Sequence, residues 1–183
     1  MTQSAGRQMM KKWIVILPCV TFAVCAWAQH REHGAHVHSG GTLAIAFDEM
    51  KGRVEFRAAS AGVVGFEHEA STTKDKKTLQ GVIAQFEKNI PQFVQFDSSL
   101  RCHFSKDKIG MVKEAHHDQE ESGEHSDFVA DFDVTCVKSI AGSKITVDFS
   151  SFSALKDLDI TVLVGSMQKS AEAKGKPVII DLQ

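Results

Sequence analysis

Nine histidines are the residues of this 183-residue chain best suited to chemistry, and they are unevenly spread. His30, His33, His36 and His38 fall within nine residues. Neutral imidazole is the commonest side-chain ligand for zinc, copper and nickel. In an extended segment His36 and His38 project to the same side, because side chains alternate along such a backbone. His33 stands three residues before His36, so an arm of this kind can fold several rings around one ion. A histidine-rich linker without function is the plainer alternative.

A second cluster mixes donors. Glu114, His116, His117, Asp118, Glu120, Glu121, Glu124, His125 and Asp127 place three histidines and six carboxylates in fourteen residues. Nitrogen and oxygen donors together suit zinc, and the negative field attracts divalent cations generally. A solvated acidic hairpin loop is the competing reading. His68 lies in Gly65-Phe66-Glu67-His68-Glu69, where it is either a ligand or a loop-docking residue. His103 follows Cys102 on the polar side of an alternating run and reads as a surface residue. Catalytic signatures are scarce: the chain has no G-x-S-x-G elbow, no H-E-x-x-H helix and no glycine-rich phosphate loop. Catalytic zinc needs rigid ligands and an open position, whereas these histidines lie mainly on an arm and a loop. The expectation is a metal-binding protein that is not an enzyme.

The elements that must position these groups begin after residue 28. Arg7, Lys11 and Lys12 precede an apolar run from Trp13 to Trp27, and Ala26-Trp27-Ala28 fits an A-x-A cleavage site. That is the pattern of a cleaved secretory signal peptide. The run is short of the roughly 20 residues that a spanning helix needs. Lipidation at Cys19 or Cys25 is the alternative, but Pro18 and Val24 stand where a small residue is expected. Cleavage leaves 155 residues with 18 basic and 23 acidic side chains, a net charge of −5. An acidic chain argues against nucleic acid or an anionic membrane as partner and is compatible with cations.

Residues 29–41 read as a polar, histidine-rich arm, and residues 42–183 as one globular domain. Leu43, Ile45 and Phe47, then Val54 and Phe56, alternate with polar or small residues and predict two antiparallel strands joined by a turn at Asp48–Gly52. Leu79, Val82, Ile83, Phe86 and Ile90 form the apolar stripe of one long helix. Thr72 and Asp75 resemble its capping box, and Pro91 is expected to close it. Leu100, Cys102 and Phe104 suggest a strand, and Phe128, Ala130, Phe132, Val134 and Cys136 a clearer one, with Asp127, Asp131, Asp133 and Thr135 on its wet face. Lys144–Phe149, Leu158–Val164 and Pro177–Leu182 add further strands, with a helical turn near Ser153–Leu158. The fold class is therefore α+β: a mainly antiparallel sheet packed with one principal helix. In an oxidising compartment Cys102 and Cys136 are expected to form one disulfide, which would clamp the base of the histidine loop.

These residues together resemble a known family. His33-Gly34-Ala35-His36-Val37-His38 leading into Leu43-Ala44-Ile45-Ala46, then Gly65-Phe66-Glu67-His68-Glu69, then two cysteines around a His/Asp/Glu-rich loop, are similar to the ZrgA-like zinc-uptake proteins. The resemblance implies a periplasmic protein of a Gram-negative bacterium that assists zinc import beside an ABC-type transporter. Two departures stand out. The central loop shrinks to residues 114–127, and Ser39-Gly40-Gly41 replaces a single glycine after the last arm histidine.

The leading expectation is thus a periplasmic zinc-binding accessory that buffers Zn2+ and passes it to a zinc-binding protein or an ABC zinc importer. Its candidate ligands are His30, His33, His36, His38, His68, His116, His117, Asp118 and His125, with the arm as the tighter site. A structural or adhesive envelope domain is one alternative. A Cu(II)-handling protein is another, since Cu(II) outcompetes zinc at most nitrogen sites. Met50, Met111 and Met167 are too widely spaced for a Cu(I) thioether site.

Overall fold

The structure is a computed structural model that describes residues 40–113 and 125–183. The leader, the arm histidines His30, His33, His36 and His38, and the loop residues His116, His117 and Asp118 lie outside the described residues.

The chain opens with a hairpin, β1 (Gly40–Asp48) and β2 (Lys51–Ala59). Asp48 pairs with Lys51, so the turn is the two residues Glu49 and Met50, tighter than the turn expected at Asp48–Gly52. Glu49 has φ +53°, as such turns require where they follow the twist of the strands. Gly52 belongs to β2, and glycine is needed there because a Cβ would run into the Phe47 ring. A single helical turn, α1 (Ser60–Val63), reverses the chain after β2.

The long helix α2 (Thr73–Phe93) follows. Its start is as the sequence predicts: Thr72 Oγ1 accepts from the Asp75 amide at 3.1 Å, and Asp75 Oδ2 accepts from the Thr72 amide. Its end is not. Pro91 lies inside the helix, which runs on to Phe93. A proline this close to the C-terminus forfeits one bond in the last turn. Continuing the helix buries Phe93 against Phe86, Phe149 and Phe152.

Beyond α2 come β3 (Val94–Phe96), a 3₁₀ turn at Ser98–Leu100, β4 (His103–Lys113), β5 (Ser126–Thr135), β6 (Lys144–Val147), β7 (Asp157–Val164), β8 (Met167–Ala173) and β9 (Val178–Asp181). The strand expected through Leu100 and Cys102 begins only at His103. Asp97 caps the 3₁₀ turn by accepting from the Ser99 amide, and Arg101 takes φ +46°, which breaks the extended run. No helical turn forms at Ser153–Leu158; two successive tight turns, Phe152 N to Phe149 O and Leu155 N to Phe152 O, lead into β7 instead.

Six strands form a sheet in the order β4-β5-β2-β1-β7-β8, and three form a second in the order β3-β6-β9. All pairs are antiparallel except β1 with β7. The fold is α+β with one principal helix, and its two sheets and helix share one core. Phe86 of α2 is completely buried, with ring centroids of Phe56, Phe128 and Phe152 at 5.2, 5.1 and 5.2 Å. The alternating apolar residues of β1, β2 and β5 therefore meet the helix stripe as their period of two demands.

The disulfide Cys102–Cys136 is present, with 4.0 Å between the Cα atoms. It sits just outside the His103–Thr135 pair, where Val137 N donates to Leu100 O at 2.9 Å. This is the open end of the β4–β5 hairpin, so the expectation that the bridge clamps the base of the histidine loop is wrong. The cysteines do flank that loop in sequence, but β4 and β5 run their whole length between the bridge and the loop.

Candidate metal site

At the loop end of the hairpin Lys113 pairs with Ser126, and Ala59 of β2 pairs with Asp127. β2 therefore stops beside the start of β5. α1 turns the chain back, Gly65 at φ +87° completes the reversal in a conformation that favours glycine, and residues 66–69 pass over the stem of the loop. Topology alone thus brings the Gly-Phe-Glu-His-Glu motif to the described strand ends from which the histidine loop leaves.

Side-chain contacts fix it there. Phe66 is half-buried against the core and stacks on the His68 ring, with centroids 4.9 Å apart and planes at 18°. His68 Nδ1 lies 3.0 Å from the Glu69 carbonyl oxygen. Glu67 is held twice: its backbone oxygen accepts from Ser126 Oγ at 2.6 Å, and its carboxylate Oε2 lies 2.7 Å from His125 Nδ1. Ser126 is buried, and the Glu67 and His125 side chains are 20% and 35% exposed. A charge-assisted bond at this degree of burial is stronger than its surface counterpart. Across the stem Lys113 Nζ stands 3.8 Å from Glu69 Oε2, a long and exposed ion pair of little energetic weight.

Of the predicted ligands, the structure places His68 and His125 at one end of the molecule and ties His125 to the residue preceding His68. His103 is exposed at the opposite end of β4, beside the disulfide, as a surface residue would be. Asp127 counted among the loop carboxylates in the sequence; here its Oδ2 accepts from Arg57 Nη1 at 2.6 Å, which neutralises it as an anionic donor. Among the described residues, no three His, Cys, Asp or Glu side chains gather closely enough to hold an ion. Glu67, which the sequence reading names only as part of the Gly65–Glu69 motif, is the residue that makes the contact. Its partner is 58 positions away, so local spacing carried no signal of the pairing.

Imidazole nitrogen and carboxylate oxygen are both donor types that zinc accepts, and one of each meets here at a partly exposed position. No helix among the described residues is long and apolar enough to cross a membrane. No curated protein matches the chain at a significant level. The sequence pattern described as ZrgA family zinc uptake protein matches residues 35–181, a stretch that includes His36, His38, the Gly-Phe-Glu-His-Glu motif and both cysteines of the disulfide. With most of its length matched, the chain belongs to the ZrgA family of zinc uptake proteins.

Proposed function

We propose that the protein captures and buffers Zn2+ in the periplasm and passes it to an ABC-type zinc importer or to that importer's zinc-binding protein, without catalysing a reaction. The observation that carries this reading is the Glu67–His125 contact, which joins two histidine-bearing segments at one site in a chain of a zinc uptake family. The disulfide is in keeping with an oxidising compartment. The histidine-rich arm extends the same chemistry: His30, His33, His36 and His38 can gather an ion, while the stem presents His68 and His125. Ligands on an arm and a loop suit transfer, since an ion can be passed on one ligand at a time.

Calorimetric titration of the periplasmic form with Zn2+ and with Cu2+, against a competing chelator, tests the reading. Zinc binding with Kd in the micromolar range or below is expected. Failure to bind zinc more tightly than about 10 μM, close to −7 kcal/mol, overturns it.

A further inference from the structure

Both histidines of the stem face an oxygen through the same ring nitrogen. His125 Nδ1 meets the Glu67 carboxylate at 2.7 Å, and His68 Nδ1 meets the Glu69 carbonyl at 3.0 Å. Neither oxygen can donate, so in each neutral ring the proton sits on Nδ1 and the metal-binding lone pair on Nε2. We infer that Glu67 is a positioning residue for zinc: it holds His125 in the Nδ1–H tautomer, so that Nε2 is the nitrogen offered to the ion. The inference rests on the zinc reading above and adds to it the binding atom and the group that selects it.

Three features make Glu67 suited to this task. Its backbone is locked to β5 by the Ser126 hydroxyl, so the carboxylate stays where the ring needs it. Its neighbour Phe66 is packed on the core, which anchors the segment from the other side. A carboxylate accepting from Nδ1 also raises the basicity of Nε2 and so strengthens the bond it makes to a metal. A neutral carbonyl does this less, and His68 is accordingly the more weakly polarised of the two rings.

Long-range 15N–1H correlation spectra of histidine-labelled protein, first without metal and then through a zinc titration, read the tautomer directly. His125 is expected as Nδ1–H before zinc, with Nε2 shifting on binding. Glu67→Ala is expected to give mixed tautomers and to weaken the zinc step that moves His125 by about 10–100-fold. Glu67→Gln retains an oxygen acceptor and is expected to restore the tautomer and much of the affinity. Ser126→Ala frees the Glu67 backbone from β5 without touching the ring and is expected to give partly mixed tautomers, short of the effect of Glu67→Ala. An Nε2–H signal for His125 in the metal-free protein, or zinc binding that leaves His125 unmoved, overturns the inference while the zinc function stands. Unchanged zinc affinity in folded Glu67→Ala does the same. Absence of any zinc binding by the unaltered protein overturns both.

Discussion

Single side chains divide here between candidate metal donors and those that form the wet face of the sheet. The arm offers four imidazoles with Glu32 as its one carboxylate, whereas the loop at 114–127 offers six carboxylates and three rings. Zinc favours nitrogen, and every ligand must be deprotonated to bind. Replacing His33, His36 and His38 with alanine is therefore expected to remove the tightest zinc step, and replacing His116, His117 and His125 a weaker one. Competition titrations of the two variants check the order; the opposite order would make the loop the principal receptor. On the wet face of the sheet Arg53 gathers Glu55 and Asp107 at 2.6 Å, Asp133 at 3.2 Å and Asp131 at 3.7 Å. Asp131 is the most enclosed of these carboxylates, and burial pushes its pKa up from the ordinary value, with Glu55 adding to the rise and Arg53 opposing it. A raised carboxylate pKa means that the folded state binds its proton more readily than the unfolded chain does. Asp131 thus costs stability as pH climbs past the unfolded pKa of about 3.9. Asp131→Asn is expected to raise the melting temperature at pH 7 by roughly 1–3 °C, with the gain shrinking toward pH 3. Thermal melts at both pH values would show it, and a lower melting temperature at pH 7 would mean that the Arg53 contact outweighs burial.

Elements differ in how plainly they announce themselves. A bridge at the open end of the β4–β5 hairpin fixes that end covalently and leaves the loop end to its own contacts. Replacing Cys102 and Cys136 with alanine is therefore expected to lower stability by roughly 2–4 kcal/mol and to leave zinc affinity of the folded protein unchanged. Loss of zinc affinity would restore the idea of a clamp on the loop. The bridge lies far from the loop, although its cysteines flank that loop in sequence, because β4 runs on to Lys113. Leu100 is buried like the next step of an alternating strand, but in a 3₁₀ turn. α2 was legible because its apolar stripe and its Thr72–Asp75 box agree, and β5 because its two faces differ in every residue from Phe128 to Thr135 save Val129. β8 and the part of β4 beyond Ser105 were hidden by their place in the sheet. Both are edges, where lysines and a bulge between Lys106 and Lys108 replace the apolar alternation, as protection against edge pairing requires. The candidate site was half legible: its histidines stand out by type, but the Glu67–His125 pairing depends on β2 and β5 lying side by side.

Across the described residues the core and the site are separate structures joined by few residues. Phe56, Phe86, Phe128, Phe149 and Phe152 fill the space between the six-stranded sheet and α2, while His68, His125 and Glu67 stand outside that cluster at the loop end. Phe66 links the two, since it packs on the core with one face and carries the His68 ring on the other. Such a division lets side chains at the loop end rearrange without disturbing the packing that holds the fold. It also separates two kinds of damage. Phe86→Ala removes a completely buried ring from the centre of the aromatic cluster and is expected to cost about 3–5 kcal/mol. Chemical denaturation would register that loss, while zinc affinity of the molecules that remain folded should stay within about twofold of the parent, a difference near 0.4 kcal/mol. Phe66→Ala loses much less buried surface, because Phe66 is only partly enclosed, yet it removes the platform beneath His68. Its expected signature is the reverse: a small loss of stability with a clear loss of zinc affinity. If Phe86→Ala instead weakens zinc binding in the folded protein as much as Phe66→Ala does, the site depends on the whole core and the separation fails.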